Sequence, residues 1–285
     1  MKLRQSGFTL VEIAIVLLIV TILLGYTVAL FPHQQQLKQY RALNLEMDRV
    51  MEAIIGFAQV NGRLPCPSLA TGAGNENNNA SGCGGYGGFV PANTLGLDGR
   101  LNEDLLLIDP WGNPYRYYVT DVYFNGGANS DFTAPGEMRL VGLVDSDFDG
   151  YIDLDGRYLI CDSAGSSNDD LCTDAALVFG NPDGGGGPYA GAPFVLLSMG
   201  KNWNEPFPAG ERLDEVKNRG ATEVTGTSGT NYNVKDVEDV PAAGTVGKTT
   251  FVKRPTGMAD DFDDVVRWVS PSVLYSRMIQ AGQLP

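Results

Sequence analysis

The feature that most constrains this 285-residue chain lies at its beginning. Residues Phe8 to Phe31, FTLVEIAIVLLIVTILLGYTVALF, carry a single charge, at Glu12. At ~1.5 Å rise per residue, the uncharged stretch Ile13 to Phe31 makes a helix about 28 Å long, close to the hydrocarbon thickness of a bilayer. Residues 8–31 are therefore expected to form a transmembrane helix. Lys2 and Arg4 precede it and no basic cluster follows directly, which places the N-terminus in the cytoplasm and the bulk of the chain outside. A cleaved secretory signal would have an apolar region of only ~7–15 residues and a small-residue cleavage site, to which Thr27-Val28-Ala29 is a weak match. Glu12 is the odd residue of the run, because a carboxylate in an apolar helix is costly unless neutralised or paired.

Gly7-Phe8-Thr9-Leu10-Val11-Glu12, directly before an unbroken apolar run, resembles the prepilin leader of type IV pilins and type II secretion pseudopilins. The resemblance implies that residues 1–7 are a leader and that a membrane aspartyl peptidase, the prepilin peptidase, cuts between Gly7 and Phe8. The Phe8 amine then becomes N-methylated. It also implies partners, namely other pilin or pseudopilin subunits and an assembly platform. The chain would be a single-pass protein of the bacterial inner membrane before assembly, and part of a periplasmic or extracellular filament after it. The physics agrees: the freed Phe8 amine and the Glu12 carboxylate are each costly in apolar surroundings. Pairing them across subunits would reward assembly and fix register. A pair within one helix is the alternative.

Beyond the apolar run the helical pattern continues through residues 32–60. Tyr40, Leu43, Met47, Val50, Ile54 and Phe57 recur at spacings of three and four, with Lys38, Arg41, Glu46, Asp48, Arg49 and Glu52 between them. One helix is thus expected from Phe8 to about Ala58, roughly 75 Å long, with Gly25 and Pro32 as places for a kink.

Residues 61–285 are expected to form an extracytoplasmic globular head. Asn61 to Pro91 is rich in Gly, Asn, Pro and Ser and reads as a long loop, in the position where pilins have a variable connecting loop. The four cysteines contain no C-x-x-C pair, and the only histidine is His33, so zinc spacing is absent. In an exported domain they favour disulfides, with the local pairs Cys66–Cys83 and Cys161–Cys172 preferred among three connectivities; free buried thiols are the other reading. Asp109-Pro110-Trp111-Gly112-Asn113-Pro114 is turn chemistry followed by an aromatic and β-branched strand, and it resembles a turn and strand of major pseudopilins. Residues 139–144, 158–161, 176–179 and 194–198 also read as strands. Met199-Gly200-Lys201-Asn202 resembles the turn after the final sheet strand in the same families. Residues 261–269 and 271–279 read as short helical or turn segments anchored by Phe262, Val265, Val266, Trp268, Leu274 and Met278. The expected fold class is α+β: a long N-terminal helix, transmembrane in its first half, packed on an antiparallel sheet head with loop insertions, as in pilins.

The sharpest chemical motif is Asp145-Ser146-Asp147-Phe148-Asp149-Gly150-Tyr151-Ile152-Asp153. Alternating carboxylates, a glycine for the turn and a following carbonyl are what calcium requires of one loop. The ligands would be Asp145, Asp147, Asp149, the Tyr151 carbonyl, and Asp153 directly or through water. Where an EF-hand has its bidentate glutamate this chain has Gly156, and the flanks are strand-like, so two readings stand: an isolated calcium loop or an acidic surface turn. Asp260, Asp261, Asp263 and Asp264 read as a solvated or cation-binding surface.

The formal net charge of −14 argues against a nucleic-acid partner, which needs clustered basic residues. No nucleophile–base pair or phosphate-binding loop emerges, so no enzyme is expected. The reading is a structural subunit, minor or specialised given its large head, of a type IV pilus or type II secretion pseudopilus. The rival is a membrane-anchored, calcium-dependent adhesive protein that does not polymerise.

Overall fold

In the computed structural model of the chain, the described residues are 9–79, 82–120, 132–138, 158–162, 177–179, 191–202, 214–215, 218, 250–254 and 262–284. The chain divides into two compact units, Met1–Asn44 and Leu45–Pro285.

The longest element, α1 (Leu10–Asn61), contributes to both units and continues through Gly25 and Pro32 without a break. It ends three residues later than the pattern suggested, because the stop is set by Gly62. That residue adopts φ +67° and returns its amide to the Ala58 carbonyl at 2.8 Å, the usual role of a glycine after a helix. In the first unit, the side chains Leu10 to Leu24 are exposed and almost all apolar.

In the second unit, Met47, Val50, Ile54 and Ala58 of α1 are fully buried. They are spaced at threes and fours, so they form one stripe. Ion pairs from Asp48 to Arg267 (3.8 Å) and from Glu52 to Arg277 (3.6 Å) line the neighbouring edge of the helix.

A four-stranded antiparallel sheet carries the core of this unit: β3 (Gly87–Phe89), β4 (Arg116–Val119), β7 (Phe194–Ser198) and β9 (Val265–Trp268), adjacent in that order. Strand β4 is buried on both faces. Alternation along it sends Tyr117 to one side, edge-on to Phe194 with its hydroxyl on the Pro65 carbonyl (3.1 Å). Tyr118 goes to the other side, where it meets Tyr158 and Phe251 edge-to-face. On that second side lies a smaller sheet, β6 (Leu177–Phe179), β5 (Leu159–Cys161) and β8 (Thr250–Val252), in which β5 and β8 run parallel. A continuous apolar cluster, including Phe89, Tyr118, Leu197 and Val266 from the large sheet and Ile160 and Phe251 from the small one, joins the two. A short hairpin, β1 (Asn78–Asn79) with β2 (Gly82–Cys83), sits within the glycine-rich stretch.

The fold is therefore α+β, with two departures from expectation. The small sheet is mixed rather than antiparallel. Residues 265–268 are a strand and not a helical or turn segment, because Val265 to Trp268 pair along the free edge of β7, a partner seventy residues back that local pattern cannot reveal. Residues 271–280 do form a helix, α2 (Pro271–Gln280). Ser270 caps it by accepting from the Val273 amide, with proline in the first turn. Tyr275 of α2 donates to the Met138 carbonyl (3.2 Å), and Gln59 of α1 donates to the Arg277 carbonyl (3.1 Å). The chain's C-terminal segment is thus clipped to the end of α1.

Candidate functional site

At the N-terminal end, Gly7 and Phe8 lie outside the described residues. The first described contacts belong to Thr9 and Glu12. The Glu12 amide donates to Thr9 Oγ1 (3.3 Å) and to the Thr9 carbonyl (3.1 Å), so Thr9 caps α1 and Glu12 stands exposed in its first turn. Threonine followed three residues later by glutamate is the capping-box pattern, and it also places a carboxylate at the positive end of the helix dipole. The T-x-x-E signal for this cap is legible in the sequence at Thr9 and Glu12. From Leu10 onward the helix shows an apolar surface that nothing in its own unit covers, the kind of surface that marks a protein or membrane contact. Among the described residues no helix is long and apolar enough to cross a membrane.

The calcium loop residues Asp145, Asp147, Asp149, Tyr151 and Asp153 also lie outside the described residues. Cys66 and Cys83 are joined by a disulfide, with Cα atoms 5.3 Å apart. Cys161 is disulfide-bonded, and Cys172 lies outside the described residues. Beside the first bridge, Arg63 makes a two-pronged ion pair with Glu76 (2.9 and 2.7 Å), and the Cys66 amide donates to the same carboxylate (3.1 Å). Burial alone would push the Glu76 carboxyl up, but the Arg63 and Cys66 hydrogen bonds with the Arg63 charge outweigh it and hold it below the usual range.

The Asp109–Pro114 turn is built around the buried Asp109 carboxylate. It accepts from the amides of Trp111 and Asn113 (both 2.9 Å) and from the Ser198 hydroxyl of β7 (2.8 Å). The Asn113 side chain in turn donates to the Gly200 carbonyl. Burial pushes the Asp109 carboxyl up, partly offset by those donors.

The turn after β7 also gathers carboxylates. Glu215, Asp263 and Asp264 bring one oxygen each within 4.8 Å of one another, the only such group among the described residues. Glu215 and Asp264 are buried. Asp263 accepts from the amides of Lys201 (2.6 Å) and Asn202 (3.1 Å), while Glu215 accepts from the Asn202 side chain (3.2 Å) and the Asp263 amide (3.1 Å). Gly200 has φ +67° and a Cβ there would collide with the Asp263 carboxylate, so this close turn requires glycine. Asp263 and Asp264 are consequently part of a built cluster rather than a solvated surface. Glu215 joins them from a position forty-eight residues away, for which the sequence offers no signal. Three carboxylates with oxygen donors at this separation are a ligand set suited to a hard cation.

These features define a chain whose N-terminal helix is capped, apolar and exposed, and whose second unit is an α+β head closed by a disulfide. Residues 2–28 match the family described as the prokaryotic N-terminal methylation motif. That motif is the class III leader found on type IV pilins and pseudopilins, and the likeness covers the first tenth of the chain. No curated protein and no solved structure matches it.

Proposed function

We propose that this chain is a structural subunit, minor or specialised, of a type IV pilus or type II secretion pseudopilus. Prepilin peptidase cuts after Gly7 and methylates Phe8. Residues 8–31 hold the precursor in the bacterial inner membrane, with the head outside. Assembly removes the apolar face of α1 from lipid and buries it among other subunits, with Glu12 of one paired to the Phe8 amine of another. The observation that carries the reading is the methylation motif running directly into a helix whose side chains from Leu10 to Leu24 are exposed. The role is mechanical and needs no catalytic group. Calcium belongs to the proposal as a head-stabilising ion, with the loop at Asp145–Asp153 and the cluster of Glu215, Asp263 and Asp264 as the two candidate places. The decisive experiment is mass spectrometry of the mature N-terminus together with electron microscopy of surface filaments and identification of their subunits. N-methyl-Phe8 and filaments containing the chain are expected; an intact Met1 would overturn the proposal.

A further inference from the structure

Between Leu101 and Leu107 the backbone closes a tight turn. Asn102 Oδ1 accepts from the amides of Asp104 (3.1 Å) and Leu106 (2.8 Å), and the Asn102 carbonyl accepts from the Leu105 amide (3.1 Å). The turn forces Leu105 to φ +60°, where a branched side chain is disfavoured and glycine or asparagine is at ease. Packing within the chain does not compensate, since Leu105 is 51% exposed and Leu101, at the other foot of the turn, 44%. Glu103 and Asp104 stand exposed between them. A rigid turn thus presents two leucines and two carboxylates to the outside at a conformational cost, an outlier of the kind found at binding surfaces.

The same chain carries the complementary surface. On α1, Leu37 is 48% exposed, and Lys38 and Arg41 beside it are exposed as well. Positions i, i+1 and i+4 fall within about 100° of arc, so the three side chains share one helix face. No ion pair within the described residues engages Lys38, Arg41, Glu103 or Asp104.

We infer that the Leu101–Leu105 turn of one subunit docks on the Leu37–Arg41 helix face of a second copy. Leucine would meet leucine, and Glu103 and Asp104 would meet Lys38 and Arg41. Because the two surfaces differ, the contact is head-to-tail and leaves a free half at each end, the geometry that propagates a filament instead of closing a dimer. This contact rests on the assembly reading above.

The test uses the full chain, expressed with its peptidase and assembly machinery and carrying Leu37→Cys with Leu105→Cys. After mild oxidation, a ladder of joined copies and a linked peptide pair from positions 37 and 105 are expected, with neither single substitution giving a ladder. Lys38→Glu with Arg41→Glu should reduce the ladder at least tenfold, and adding Glu103→Lys with Asp104→Lys should restore it. Filaments that form without the 37–105 link, or a link from position 105 to a different subunit, would overturn the contact while leaving assembly intact. Absence of filaments from the unsubstituted chain would instead remove the assembly reading, and the contact with it. If the cysteine variants fail to assemble, Leu105→Asn decides. It suits the left-handed backbone, so the melting temperature should hold or rise while filament yield falls severalfold; an unchanged yield would sink the inference.

Discussion

The Ser198 hydroxyl of β7 donates to Asp109 Oδ2 at 2.8 Å, tying the middle of the large sheet to a turn eighty-nine residues earlier. Since Oδ1 of the same carboxylate holds the Trp111 and Asn113 amides, removing the side chain frees three donors in the core. At about 1 kcal/mol each, Asp109→Ala should cost about 3 kcal/mol in denaturant unfolding.

Asp109→Asn keeps the Oδ1 bonds and should cost far less at neutral pH. Its pH dependence is the sharper test. Burial raises the folded-state carboxyl above its unfolded value of about 3.9, so the penalty for charging it is full above the raised folded value. The penalty fades as pH falls and is absent below about 3.9. Relative to Asp109→Asn, the native chain should therefore gain stability as pH drops from 7 towards 4. Parallel unfolding curves for the two proteins across that range would refute the buried charge.

Glu76 behaves oppositely. Its folded carboxyl is held low, so its contribution is complete above the unfolded value of about 4.3 and lost as pH falls through the lower folded value. Arg63→Met leaves the mostly buried Glu76 without its cation and should cost about 3 kcal/mol at pH 7. Removing the Cys66–Cys83 bridge, which closes a separation of 17 residues, should cost about 3 kcal/mol by itself. Because the Cys66 amide also holds Glu76, a double-mutant cycle between the two changes should be non-additive by 0.5 kcal/mol or more. Strict additivity would show that bridge and ion pair act separately.

Thr9 and Glu12 should separate capping from assembly. Thr9→Ala removes a cap worth about 1 kcal/mol and should fray the first turn while filaments still form. Glu12→Gln should leave cleavage at Gly7 intact and abolish incorporation into filaments. Equal incorporation of Glu12→Gln and native chains would rule out the intersubunit pair.

Calcium should raise the melting temperature of the mature chain in detergent. At free calcium 100 times its dissociation constant the gain is about 2.7 kcal/mol. Asp145→Asn with Asp149→Asn and, separately, Asp264→Asn should reveal which site responds, since only one substitution should abolish the shift if a single ion binds. Identical melting of the native chain in calcium and in chelator would strike the metal from the account.

The sequence by itself determined the ends of this protein's story that are local in chain distance. The leader motif is a run of adjacent residues, the apolar run and the stripe at Met47, Val50 and Ile54 recur along one helix, and the Asp109 turn and the strands at 116–119 and 194–198 follow from neighbouring residues. Such features depend on backbone geometry and on side chains a few positions apart, so they can be read without a fold. Tertiary structure alone decided what depends on distant partners. Val265–Trp268 became a strand because β7 offered an open edge. Asp263 and Asp264 became a cation-suited cluster because Glu215 arrived from forty-eight residues away and Gly200 allowed the approach. Leu105 was an ordinary leucine until the Asn102 side chain closed the turn that holds it at φ +60° and turns it outward. Pairing and burial between residues far apart in sequence are set by the packed chain as a whole, and no local pattern encodes them.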